Sequence, residues 1–124
     1  MNCMLTRRDK ERMVVARCDL SREELIIIGE GRVSGCYEKH AFQIDWSKWW
    51  VPKDITAYFR HSANPSVGIR VSRSGPPLFY VLKDIRKGEE LSLDYATFEA
   101  LSFKNMSEDR RKCYGEYVAD YLKN

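Results

Sequence analysis

The chain has no long apolar run. Its longest, Leu25-Ile26-Ile27-Ile28, falls far short of the roughly 20 residues that a membrane-spanning helix needs. It also lacks any Cys-x-x-Cys pair. Cys3, Cys18, Cys36 and Cys113 stand far apart with no Cys/His spacing for a tetrahedral zinc site, so no metal is expected and the thiols read as reduced, small apolar residues. Strong charge of one sign is missing too: the net charge is +3. The basic groups Arg7-Arg8-Lys10-Arg12 and Arg110-Arg111-Lys112 are interrupted by Asp9, Glu11, Glu108 and Asp109, which reads as a solvated surface, and no nucleic-acid partner is expected. The amino end, Met1 to Arg12, has no apolar stretch of the secretory type, which points to the cytoplasm or a nucleus and to no membrane partner.

What is present fits one globular domain over residues 1–124. Hydrophobic residues make up 44% and charged residues 31%, well away from the composition of disordered chains, and the length suits a single core.

Local patterns are mostly those of strands. Met13-Val14-Val15-Ala16 and the Ile-rich stretch from Glu24 to Gly29 read as two strands joined by turn chemistry at Arg17–Ser21, with Gly29, Gly31 and Gly35 ending the second in loops. Ala41–Ile44, Val67–Val71 and Leu78–Val81 read as three more, the last two separated by a Gly/Pro turn over 72–77. Trp46, Trp49 and Trp50 suit a core or a subunit contact better than a channel wall. Val15–Leu20 followed by Glu23-Glu24-Leu25 resembles Val81–Ile85 followed by Glu89-Glu90-Leu91, which predicts the same hairpin device used twice, with Gly88 left-handed in the second copy. Ser107 predicts the cap of a C-terminal helix over about 107–122. Its apolar stripe Cys113, Tyr114, Tyr117, Val118, Tyr121 and Leu122 docks on the sheet or on another subunit, which leaves a homodimer open.

Two stretches carry chemistry: Phe59-Arg60-His61-Ser62-Ala63-Asn64-Pro65-Ser66 and Ile85-Arg86-Lys87-Gly88-Glu89-Glu90-Leu91-Ser92-Leu93-Asp94-Tyr95. Together they resemble the SET-domain protein lysine methyltransferases, which have an Asn-His-Ser-Cys-x-Pro-Asn loop and, after two strands, an Ile-x-x-Gly-Glu-Glu-Leu-x-x-Asp-Tyr segment. His61, Ser62 and Pro65 match the first; Ile85, Gly88, Glu89, Glu90, Leu91, Asp94 and Tyr95 match the second. Ala16 to Leu25 is similar to the family's Ala-x-x-Asp-Ile-x-x-Gly-Glu-Leu opening hairpin, so the resemblance covers about residues 13–98.

The resemblance implies a mainly β fold with short helices: a SET-like β-clip of small antiparallel sheets with a pseudoknot-like crossing and a C-terminal helix. It implies S-adenosylmethionine as cofactor and, as partner, a protein with an exposed lysine, including a basic histone-like tail. Tyr95 would be the catalytic residue, where cofactor meets lysine. Arg60 and His61, with Glu11, Arg12 and Met13, would lie at the cofactor; Tyr58, Tyr80 and Phe98 would wall the lysine channel; and Asp94 would fix the loop by accepting hydrogen bonds.

The chain departs from the family at several points. Glu11-Arg12-Met13 stands where the family has Gly-x-Gly, Arg60 where it has Asn and Ala63 where it has Cys, and 99–124 holds no counterpart of the family's cysteine-rich zinc segment. A degenerate SET-like module that binds protein without turnover is therefore the alternative. A hydrolase built on Ser62 and His61 is disfavoured, because adjacent residues rarely form a nucleophile–base hydrogen bond and no third group is evident.

Overall fold

The computed structural model describes residues 2–73 and 75–123. In chain order the described strands are β1 (Cys3–Arg8), β2 (Glu11–Ala16), β3 (Leu25–Ile28), β4 (Gly31–Ser34), β5 (Phe42–Asp45), β6 (Lys48–Pro52), β7 (Arg60–His61), β8 (Val67–Arg70), β9 (Leu78–Val81) and β10 (Ser92–Leu93). The helices α1 (Ala100–Phe103) and α2 (Glu108–Tyr114) follow. The fold is thus mainly β with short helices, as the resemblance implies.

The strands form four small sheets: β1-β2, β3-β9-β8, β4-β6-β5 and β10-β7. The first three are antiparallel and the last is parallel. Asp9 and Lys10 close the β1-β2 hairpin with φ of 50 and 68, the doubly left-handed two-residue turn that matches strand twist. The sheets share one core, in which Val14, Ile69, Phe79, Val81, Leu91 and Leu93 are essentially without exposure.

Five strands follow from apolar and β-branched patterning; β1, β4, β6 and the two-residue β7 and β10 do not. β1 is mostly exposed and mixes apolar with polar residues, and β4, expected as loop, has no buried residue. Both are held by backbone pairing, β1 to β2 and β4 to β6, which needs no apolar alternation. The glycines expected to open left-handed loops do not: Gly31 lies inside β4, and the glycines with positive φ are Gly88 and Gly115. Of the cysteines only Cys3 is buried; Cys18, Cys36 and Cys113 are exposed, so only Cys3 serves as a core residue, and burial pushes its thiol up to about 11. Ser74, in the turn over 72–77, lies outside the described residues.

The two look-alike segments do not fold into separate hairpins; they pair with each other. Leu20 and Ile85 exchange backbone hydrogen bonds at 2.8 and 2.9 Å. Asp19 Oδ1 accepts from the Lys87 amide at 2.8 Å, and Asp84 Oδ1 accepts from the Arg22 amide at 3.0 Å. Glu24 closes its turn on the Ser21 amide, and Glu89 does the same on Arg86. Glu23 and Gly88 occupy matching places, with φ of 76 and 89. The structural equivalence aligns Glu24 with Glu89, one residue from the alignment suggested by the Glu-Glu-Leu runs.

The C-terminal helix is shorter than its stripe suggests. Ser107 Oγ caps it by accepting from the Arg110 amide at 3.2 Å, but Gly115 takes a φ of 56 and ends it. Beyond it Tyr117 is half-buried, and Val118, Tyr121 and Leu122 are buried by other means, the last two through a 3-10 turn at Asp120–Leu122. A glycine in the left-handed region costs no Cβ clash, so here it serves as a stop signal rather than a weak helical residue.

Candidate active site

The site is assembled where β7 and β10 run side by side. Arg60 pairs with Ser92 and His61 with Leu93 in parallel, and the Ser62 amide donates to the Leu93 carbonyl at 2.8 Å. The buried Ser66 fastens the two segments: its Oγ donates to the Glu90 carbonyl at 3.1 Å and accepts from the Ser92 amide at 3.0 Å. This is the pseudoknot-like crossing, since the loop 60–66 lies against the segment that ends in Tyr95.

Asp94 then turns the chain. Its carboxylate is fully buried and its Oδ1 accepts from the Ala96 amide at 3.1 Å, opening a 3-10 turn at Tyr95–Thr97. Its Oδ2 accepts from the Tyr114 hydroxyl at 2.5 Å and from Arg110. The carboxylate thus accepts on both oxygens, as a buried charge must.

That turn presents Tyr95. Its amide donates to His61 Nδ1 at 3.1 Å and its hydroxyl to the Phe59 carbonyl at 2.5 Å. The ring lies against His61 and Phe98, with centroids 5.2 and 5.5 Å away. Burial first, and then the nearby Glu99, holds the phenol above its ordinary pKa. Tyr95 is therefore a hydrogen-bonding hydroxyl at neutral pH, suited to positioning rather than to acting as a base.

A cavity of about 270 Å³ lies beside it, lined by Tyr37, His40, Phe59, Tyr95, Phe98 and Glu99 among others. Of the three proposed channel residues, Phe98 lines this cavity. Tyr58 stands just outside, its ring 5.4 Å from His40 and its hydroxyl accepting from Arg12 at 3.0 Å. Tyr80 is elsewhere: it sits on β9, 5.7 Å from the Tyr117 ring, because strand alternation turns it away from the core residues Phe79 and Val81. Tyr37, His40, Phe59 and Glu99 went unmarked by sequence reasoning. Phe59 adjoins a motif; the others carry no spacing signal.

Of the residues expected at the cofactor, Arg60 and Glu11 meet directly, Arg12 turns to the Tyr58 hydroxyl and His61 to the Tyr95 amide. Arg60 makes a bidentate pair with Glu90, 2.6 and 2.7 Å, and a further bond to Glu11. The bond to Glu90, ahead of other causes, raises its pKa above the ordinary arginine value. Met13 is buried. Cavity size alone does not mark this region: a cavity of about 440 Å³ lined by Asn64, Lys83, Arg110 and Tyr114 touches none of Arg60, His61 or Tyr95.

A parallel crossing of a His-bearing strand with a Tyr-ended one, between small antiparallel sheets, defines a SET-like β fold. The SET-domain family model matches residues 11–96, and the chain belongs to that family. No curated protein sequence matches it significantly. Among solved structures it is similar to a Plasmodium falciparum protein described as a candidate histone methyltransferase, at 15% identity and a TM-score of 0.62, covering 75% of this chain and 96% of that one. KRYPTONITE, in complex with methylated DNA, a histone H3 peptide and S-adenosylhomocysteine, matches at 16% identity and a TM-score of 0.67, covering 88% of this chain and 24% of that one. The polycomb repressive complex 2 of Chaetomium thermophilum, bound to S-adenosylmethionine, matches at 18% identity and 0.66, covering 88% and 17%. The chain therefore spans nearly all of the first neighbour but about a quarter or less of the other two.

The family implies S-adenosylmethionine, and the donor set here can be tested against it. Its amino-acid end carries a carboxylate and an ammonium. Arg60, flanked by Glu11 and Glu90, offers one cation and two anions of matching sign. The Arg60 and Glu11 side chains are 41% and 65% exposed, and so open an ion pair worth only about 0–1 kcal/mol. Exchanging that bond for the charges of a ligand costs little, so the residues fit.

Proposed function

We propose that this domain transfers a methyl group from S-adenosylmethionine to a lysine side chain of a protein, in the nucleus or cytoplasm. The observation that carries the reading is the Tyr95 hydroxyl bonded to the Phe59 carbonyl on the wall of an aromatic cavity at the crossing.

Bound at Arg60, Glu11 and the backbone of His61, the cofactor would supply an electrophilic sulfonium methyl. The chain's own residues do the rest. Methyl transfer is an in-line displacement and depends on alignment more than on acid or base strength. Tyr95 and the Phe59 carbonyl give the lysine amine a fixed pair of polar atoms to orient against. Phe59, Phe98 and Tyr37 surround the side chain with apolar surface, which disfavours the ammonium and promotes loss of its proton to water. Glu99, on the same cavity wall, attracts the cation before that desolvation.

Mass spectrometry of lysine-bearing proteins, both basic ones and ones with apolar-flanked lysines, incubated with S-adenosylmethionine and either wild type or Tyr95→Phe tests the reading. A gain of one or more methyl masses with wild type alone supports it; identical spectra refute it.

A further inference from the structure

The cavity beside Tyr95 continues past its own walls. Tyr37, Ala41 and Glu99 also line a second cavity of about 630 Å³, whose other walls include Trp46, Trp49 and Leu101. A third, of about 420 Å³, shares Trp46 and Leu101 with the second and runs on to Phe103 and Leu122. Because each shares walls with the next, the three lie side by side as a track of adjoining cavities that leads away from Tyr95.

Three of its walls are large apolar side chains facing solvent: Tyr37 is 65% exposed, Trp46 59% and Leu101 77%. Isolated exposed apolar residues are ordinary, but these come from three separate segments and converge on one groove, the mark of a binding surface. Its charge is equally selective. Glu99 is the only acid among the described residues lining the three cavities, whereas Lys39, Lys104 and Arg111 are on the walls. A chain rich in Lys and Arg would find one carboxylate here, and that one beside the target lysine.

We infer that this track holds the polypeptide next to the target lysine and selects a bulky apolar residue there, of leucine or phenylalanine type, over further basic residues. The inference rests on the reading that lysine enters the Tyr95 cavity, and it replaces the basic tail with an apolar-flanked lysine as the substrate class. Glu99, common to both cavities, marks the junction between the lysine and its apolar neighbour.

The test measures binding and needs no turnover. Three fluorescein-labelled peptides of equal length, each with one lysine flanked by Leu and Phe, by Ser, or by Arg, are titrated with the full chain in the presence of S-adenosylhomocysteine and followed by anisotropy. Burying one leucine-sized side chain predicts about tenfold or more tighter binding of the apolar-flanked peptide than of the serine one. Leu101→Asp and Trp46→Ser, both at exposed positions and checked for folding by circular dichroism, should each shrink that gap to about threefold or less. Equal affinities, tighter binding of the arginine-flanked peptide, or no binding of any peptide would overturn the inference. A preserved gap with no methylation would remove the proposed activity and leave the groove standing; methylation without flank preference would do the reverse.

Discussion

Tyr114 on α2 donates its hydroxyl to the buried Asp94 at 2.5 Å, so the last helix is tied to the residue that precedes Tyr95. Burial first, and then this bond, pushes the Tyr114 phenol up to about 12. The charge of Asp94 is shared with Arg110 and with the Ala96 amide, and the crossing, the 3-10 turn and α2 therefore form one unit.

Tyr114→Phe removes a donor from a buried carboxylate without changing the shape of the core. The expected loss is about 1–3 kcal/mol of stability, read from the shift of the urea midpoint. A change below about 0.5 kcal/mol would mean that Arg110 and the Ala96 amide satisfy Asp94 without the Tyr114 hydroxyl.

Glu11→Ala separates the cofactor reading from a structural one. Its bond to Arg60 is exposed, so unfolding free energy should change by less than about 1 kcal/mol. Calorimetric titration with S-adenosylmethionine should still show weaker binding, because a carboxylate matched to the ligand ammonium is gone. If wild type binds no cofactor at all, the domain is a protein-binding module and the catalytic reading fails.

The paired turns predict opposite effects at two matching positions. Glu23 has a φ of 76 and Gly88 one of 89, a region that costs a non-glycine residue about 1–2 kcal/mol. Glu23→Gly relieves that cost and should raise stability by about 0.5–1 kcal/mol after the added unfolded-state freedom is subtracted. Gly88→Ala should lower it by about 1 kcal/mol or more. Thermal unfolding of both variants checks the pair, and a destabilised Glu23→Gly would contradict it.

Glu99 gives stability a defined dependence on pH. Burial, partly offset by the Ser102 hydrogen bond and by His61, holds its pKa above the ordinary 4.5. The folded state therefore binds more proton than the unfolded one between those two values. Stability should fall as pH rises through that window and stay reduced above it. Glu99→Gln should lose this component, so that the difference between variant and wild type grows in favour of the variant from pH 4 to pH 8 in urea titrations. A difference that stays constant would show that Glu99 is not desolvated.

Much of the site was legible because its signals are local. The order His61-Ser62 then Gly88-Glu89-Glu90-Leu91 then Asp94-Tyr95 marks the crossing, and Gly88 and Ser107 behave as their turn and cap chemistry requires. The walls of the cavity beside Tyr95 were less legible. Phe98 joins Tyr95, yet Tyr80 sits on the far sheet with Tyr117, and Tyr37, His40 and Glu99 arrive from segments without a motif. A period-two pattern says which face of a strand a residue occupies, not which cavity that face meets.

The sequence by itself determined what a few neighbouring residues can decide: strands from β-branched runs, a left-handed turn at Gly88, a helix start at Ser107 and the motifs around His61 and Tyr95. The tertiary structure alone decided that the two similar turns bond to each other, that β1, β4 and β6 are strands, that α2 stops at Gly115 and that Arg60 lies between Glu11 and Glu90. The difference is physical: steric and capping preferences act within a turn, whereas backbone pairing and charge satisfaction join segments far apart in sequence and take their partners from the whole packed chain.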